Sequence, residues 1–184
     1  IFYTYIMRQG YIHIYTGNGK GKTTAAFGLA LRAICAGCNV YIGQFVKSMC
    51  YSETRLVDLL DDADASFGSL CIEQLGNGCC FDGAIATEDI LMAQKGWKHC
   101  MEVLQSGKWD VLVFDELTIA LSLGLLRVDK VVQDLQVRNS EAEIIITGRY
   151  APQELIDIAD VVTDMCEIKH YYKNGVLSRK GIDC

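Results

Sequence analysis

The stretch Ile14–Ala33, IYTGNGKGKTTAAFGLALRA, sets three glycines and two lysines between a β-branched, aromatic run and an Ala/Leu-rich one. Gly17, Gly19 and Gly21 let the backbone curl without Cβ clashes, so that successive N–H groups turn inward on phosphate oxygens. A helix follows at once and brings the positive end of its dipole beside the same anion. Lys22 reaches phosphate as a point charge, and the Thr23 hydroxyl is placed to ligate Mg²⁺. With Asn18, Lys20 and Thr24 these residues read as a polyphosphate-binding loop. The plainer reading is a Gly-rich surface turn with two solvated lysines, but the strand before, the helix after and the Gly-Lys-Thr ending favour phosphate. In the general G-x-x-x-x-G-K-[ST] pattern the first glycine falls on Thr16, so this loop, with its extra Lys20, belongs to a subset of such loops.

The second stretch with chemistry is Trp109–Leu121, WDVLVFDELTIAL, where a buried apolar strand ends in Asp115 and Glu116. Ligands of α/β proteins bind at this edge of the sheet. One or both acids complete the Mg²⁺ (or Mn²⁺) shell begun by Thr23, directly or through water. The alternative is a helix N-terminus decorated with acids. Together the two stretches specify a Mg²⁺-bound ATP or GTP and leave the reaction open. Arg149 follows a strand end through Thr147-Gly148, a position suited to meeting a phosphate or ribose. Arg32 lies three turns into the first helix, where solvation and ligand contact are both open. The histidines His13, His99 and His170 are scattered and form no nucleophile–base arrangement.

These residues need elements to hold them. Apolar runs at Tyr11–Tyr15, Val40–Phe45, Leu70–Gln74, Val111–Phe114, Ile144–Thr147 and Val161–Ile168 predict strands. Helical patterns lie between or beside them, at Lys22–Ala36, Ser52–Leu60, Thr87–Gln105, Leu117–Leu123, Asp129–Arg138 and Pro152–Ile158. Thr87 with Glu88 and Asp89 predicts a capped helix start, and Pro152, the only proline, a first helical turn. Short strands separated by helices predict parallel crossovers. The expected fold is one α/β domain over residues 10–184, P-loop NTPase-like, with a mainly parallel sheet of about six strands and helices on both faces. Residues 1–9 read as an N-terminal arm or a non-native extension, Met7 being a natural initiator and the lead-in a poor signal peptide.

Composition narrows the function classes. The 184 residues are 51% hydrophobic with a net charge of −6, which argues against an extended nucleic-acid surface. No apolar run reaches the roughly 18 residues of a membrane span. Nine cysteines, an odd number in a core-rich chain, read as thiols in a reducing cytoplasm. Cys35 and Cys38 have redox spacing, but at a helix C-terminus, where the dipole disfavours a thiolate. Cys71, Cys79, Cys80, His99 and Cys100 lack the paired spacing of a zinc site.

The chain as a whole resembles the P-loop ATP:corrinoid adenosyltransferases of cobalamin biosynthesis and salvage. The resemblance runs from Gly10 onward through YTGNGKGKTTAAFGLALRA, VYIGQFVKS, YSET, VFDELTIALSLGLL, EIIITGRYAPQELIDIADVVTDM and IKHYYKNGVLSRKGID. It implies an alkylation in which Co(I) of a corrinoid attacks C5′ of ATP, giving an adenosylated corrinoid and triphosphate. Such a nucleophile needs no activating base. The enzyme would align C5′ with cobalt and stabilise charge on the leaving triphosphate, with Lys20, Lys22, the loop amides and Mg²⁺ on Thr23 and Glu116. The resemblance also implies an external electron donor, a flavodoxin- or ferredoxin-like protein or reduced flavin, and a homodimer. It places Cys79 and Phe81 beneath the corrin. There Phe81 matches an aromatic position that displaces the lower axial ligand, core packing being its alternative, and Cys79 stands where some members carry another aromatic residue. Arg149 would then have corrinoid as a further possible contact. Lys169–Tyr172 and Arg179–Lys180 read as part of a lid or dimer contact, or as solvated charge. The rival readings are a P-loop ATPase, with Glu116 polarising a water, and a small-molecule kinase; a GTPase switch would need an Asn-Lys-x-Asp run that does not occur.

Overall fold

In the computed structural model, which describes residues 9–47, 52–60, 66–76, 85–138 and 141–183, six short strands pair side by side. These are β1 (Ile12–Thr16), β2 (Val40–Gln44), β3 (Leu70–Gln74), β4 (Val111–Asp115), β5 (Glu143–Thr147) and β6 (Val161–Asp164). All pairings are parallel, in the order β3-β2-β4-β5-β1-β6. Parallel strands require crossovers, and the helices that supply them cover both faces. They are α1 (Lys22–Cys35), α2 (Leu56–Leu60), α3 (Thr87–Gln105), α4 (Leu117–Ser122), α5 (Val128–Gln136) and α6 (Gln153–Asp157).

The core divides into two layers. On one face Ala26, Phe27, Ala30 and Ile34 of α1, spaced three and four apart, pack on Val40, Ile42, Val111, Val113 and Ile145. On the other, Trp97 and Leu104 of α3 and Leu135 of α5 pack on Ile12, Tyr41, Leu112, Phe114 and Ile144. Each such large side chain contributes about 1.5–3 kcal/mol of burial. Central β4 is buried along its whole length. The register aligns the strand ends: Gln44 lies beside Asp115, Tyr15 beside Thr147, and Thr16 beside Asp164. One edge of the sheet therefore gathers the polar residues that follow five apolar strands.

Some boundaries differ from the sequence reading. β6 ends at Asp164 instead of running to Ile168, because its neighbour β1 ends at Thr16 and leaves no strand to pair with. Ser52–Leu60 is a 3-10 turn, Ser52–Arg55, followed by α2. The cap of α3 is Ala86, not Thr87, and the Asp89 carboxylate accepts its N–H at 3.1 Å. Pro152 stands just outside α6, and its carbonyl accepts the Leu155 and Ile156 N–H groups. Cys38 is half-buried, and burial and the Asp110 carboxylate hold its thiol above the usual value, against a redox thiolate there. No helix among the described residues is long and apolar enough to cross a membrane.

Candidate active site

The loop between β1 and α1 is built on close approaches. Gly17 and Gly21 have left-handed φ values of 96° and 117°. A Cβ at Gly17 would lie 2.1 Å from Asp164 Oδ1, and one at Gly19 would lie 2.5 Å from the Met165 carbonyl oxygen. That carbonyl also accepts the Gly19 N–H at 2.6 Å, which ties the loop to the segment after β6. The glycines thus serve packing against Asp164 and Met165 as well as curvature. Gly21 precedes α1, and among the described residues no side chain caps that helix and no acid stands in its first turn. Its free N–H groups and positive dipole end face the loop, as anion binding requires. Gly19→Ala should shift the loop away from Met165 and weaken ATP binding about tenfold or more; calorimetric titration with ATP checks this.

Lys22 is only 7% exposed. Its ammonium donates to the Gly17 and Gly19 carbonyls, each at 2.7 Å, within the loop's concavity. Burial and the nearby Arg149 guanidinium hold it below the usual lysine value. Thr23, one residue on, donates its hydroxyl to Asp115 Oδ1 at 2.9 Å.

Asp115 is fully buried, and among the described residues its carboxylate receives four donors. Thr23 and the Thr147 hydroxyl, at 2.6 Å, reach Oδ1; Gln44 Nε2 at 3.1 Å and Lys47 Nζ at 2.8 Å reach Oδ2. Lys47 also lies 3.3 Å from Glu53. Although burial pulls the other way, the Asp115 and Glu53 carboxylates hold the Lys47 ammonium above its usual value.

Glu116 differs from its neighbour. It adopts a left-handed backbone (φ 59°) at the start of α4, a costly conformation for a side chain with a Cβ. The Thr147 hydroxyl fixes it by accepting the Glu116 N–H at 3.0 Å. Its carboxylate faces a cavity of about 370 Å³ that Lys22, Thr23, Thr24 and Arg149 also line. Burial and the Asp115 charge raise its pKa, opposed by Lys47, Lys22 and Arg149. Gly148 makes the room: a Cβ there would lie 2.3 Å from Thr118 Oγ1 and 3.2 Å from Glu116 Oε2. Thr23, Asp115 and Glu116 together offer the hard oxygen donors that suit Mg²⁺.

Arg32 is exposed in the last turn of α1, about 15 Å along the helix from its start, so it does not join the phosphate loop. Lys20 lines the same cavity as Lys22, but its ammonium is engaged by the C-terminal segment. It donates to the Ile182 carbonyl at 2.6 Å and to Asp183 Oδ1 at 2.7 Å. Asp183 also accepts from Arg179 and from the Tyr171 hydroxyl, and these contacts, Lys20 first, hold its carboxyl well below the usual range. The predicted lid residues are therefore partly placed: Tyr171 and Tyr172 line the same cavity as Glu116. Asn18 and Arg149 line a further cavity of about 760 Å³ on the loop's other flank. Cys79 and Phe81 lie outside the described residues.

Gln44, Lys47, Thr147, Gly148 and Asp183 carry much of this geometry and were not picked out from the sequence. Gln44 and Lys47 sit at the end of a predicted strand, in VYIGQFVKS, and Thr147-Gly148 directly precedes Arg149. A strand end next to a phosphate loop is the signal that could have found the first four; Asp183, in the C-terminal segment, carries no such signal.

Comparison with known proteins gives a consistent picture. The family described as ATP:corrinoid adenosyltransferase BtuR/CobO/CobP matches residues 8–184. A corrinoid adenosyltransferase of Escherichia coli (strain K12) is 34% identical over 175 residues, covering 95% of this chain and 86% of that protein. One of Pseudomonas aeruginosa is 32% identical over 175 residues, covering 95% and 84%. Among solved structures, the type III secretion ATPase EscN of enteropathogenic E. coli aligns with a TM-score of 0.50 at 18% identity, over 84% of this chain and 42% of that one, a likeness of fold alone.

Proposed function

The chain belongs to the ATP:corrinoid adenosyltransferase family and performs ATP-dependent adenosyl transfer to a corrinoid; from that premise we propose that the Gly17–Thr24 loop grips polyphosphate so that the ribose C5′, and not a phosphorus atom, becomes the electrophile. The observation that carries this reading is the convergence of Lys22, Thr23, Glu116 and Arg149 on one cavity beside an uncapped helix start. Co(I) of the corrinoid attacks C5′, the C5′–O bond breaks, and triphosphate leaves with the bonding pair. Lys22, the loop amides and the α1 dipole stabilise the charge that develops on it. Arg149, which lines the same cavity, adds a planar donor able to bind in bidentate fashion.

Thr23 and Glu116, backed by Asp115 with its carboxylate already occupied by four donors, would hold Mg²⁺ (or Mn²⁺), which would supply positive charge to the triphosphate. Lys20 contributes from the rim, held there by Asp183. A γ-phosphate reaction would use Glu116 to polarise water or an acceptor; family membership favours adenosyl transfer.

By the family resemblance Phe81, with Cys79 as a further candidate, would exclude the lower axial ligand of the corrin and so make Co(II) easier to reduce by an external flavodoxin- or ferredoxin-like donor or reduced flavin. Phe81→Ala should leave transfer to pre-formed Co(I) within about twofold and slow the route from Co(II) about tenfold or more, the order expected when a positioning side chain is lost. Parallel assays with pre-reduced corrinoid and with Co(II) plus reductant test this; equal losses remove Phe81 from the role. The reading further includes a cytoplasmic homodimer. Exposed Val161 and Val162 on edge strand β6, with Ile168 and Leu177 nearby in sequence, support an apolar contact there.

A further inference from the structure

The two acids at the end of β4 have different surroundings, and Lys47 makes the difference. Asp115 is fully buried, with Lys47 Nζ at 2.8 Å and Gln44 Nε2 at 3.1 Å on one oxygen and the Thr23 and Thr147 hydroxyls on the other. The Lys47 side chain is 11% exposed and lines a cavity of about 580 Å³ together with Thr23 and Glu116. A buried carboxylate without a counter-charge draws in any available cation. Two adjacent carboxylates beside a hydroxyl would bind a divalent ion unaided, and at Asp115 that ion would sit deeper than the phosphate loop.

We propose that Lys47 is a positioning residue for the metal–nucleotide complex. Its ammonium occupies Asp115, so a divalent cation does not settle there and enters only with ATP, onto Thr23 and Glu116. This rests on the assignment of Thr23 and Glu116 as the metal-binding pair. Because the Thr23 hydroxyl spends its proton on Asp115 Oδ1, its lone pairs stay available to the ion. With Lys47 on Asp115, Glu116 shares the cavity with Lys22, Arg149 and Asp183, and Asp183 is already engaged by Lys20 and Arg179, so the phosphates must supply the remaining negative charge that holds the ion.

Mn²⁺, followed by the electron paramagnetic resonance signal of the free ion, is the probe. Nucleotide-free protein should bind it weakly. Lys47→Met should bind at least about tenfold more tightly, Lys47→Gln should gain likewise, and Lys47→Arg should match the parent. Adding Asp115→Asn to Lys47→Met should abolish the gain, and adding Glu116→Gln should not. In the transfer assay Lys47→Met should show inhibition by excess free Mg²⁺ that the parent lacks. Thermal melting in a chelator establishes that each variant is folded. Unchanged nucleotide-free Mn²⁺ affinity in both folded Met and Gln variants would overturn the proposal, as would a gain that survives Asp115→Asn. A parent protein whose Mn²⁺·ATP affinity is unaffected by Glu116→Gln would instead contradict the assignment of Glu116, which separates the two failures.

Discussion

Lys22→Ala should lower adenosyl transfer by roughly 10²–10³-fold, the loss typical of removing one preorganised charge from a developing anion. Lys22 is the cation inside the loop: its ammonium touches the Gly17 and Gly19 carbonyls and is 7% exposed. Lys20 lines the same cavity but does not take its place, since its ammonium is engaged by Asp183 and the Ile182 carbonyl. Arg149 lines the same cavity and would retain part of the binding energy, so the loss should fall on kcat as well as on KM. The fold should persist, because the glycine packing against Asp164 and Met165 does not involve this side chain. Steady-state kinetics with pre-reduced corrinoid, together with a melting curve, check both statements. Transfer within threefold of the parent would remove Lys22 from the reaction.

Glu116→Gln should weaken Mg²⁺ dependence and transfer by about 100-fold, the lower end of the loss for removing such an electrostatic group, and should at the same time raise thermal stability near neutral pH. Burial first, and the Asp115 charge second, hold the Glu116 carboxyl above its ordinary value. The folded chain therefore binds that proton more tightly than the unfolded chain. Ionisation costs stability, a cost absent below the ordinary carboxyl range and fully present once the pH exceeds the raised folded value. Glutamine has no charge to desolvate, so the variant should melt higher at neutral pH. The difference should close as pH falls through the carboxylate range. In a chain of this size each kcal/mol recovered raises the melting temperature by about 2–4 °C. Metal titration and melting curves across pH measure the two effects. Equal melting temperatures at neutral pH, with unchanged metal dependence, would contradict both the buried charge and its use.

These residues are unevenly legible in the sequence, for physical reasons. The apolar patterns of β3 and α3 have the bounds that the structure has. The pattern of β6 runs longer than the strand, since apolar character continues past Asp164 while its pairing partner stops at Thr16. The glycine-rich loop and the Asp115-Glu116 pair are legible as candidates because each is a local run at the end of an apolar strand. What was not legible depends on contacts distant in sequence. Lys20 and Lys22 look alike in the chain, yet one meets Asp183 and the other meets its own loop. Lys47 and Thr147 acquire meaning only when the parallel register sets β2 and β5 on either side of β4. Gly148 reads as a turn residue, but the structure shows it making space for Glu116. Arg32 has the right composition and the wrong end of its helix.

The ribose carbon of the bound nucleotide, as the electrophile, leaves a product signature of its own. Anaerobic incubation of the protein with Mg·ATP and chemically reduced corrinoid, followed by identification of both products, reads it out. Inorganic triphosphate and a light-sensitive carbon–cobalt species should form in equal amounts. ADP and orthophosphate, with no carbon–cobalt bond, would contradict that role for the ribose carbon.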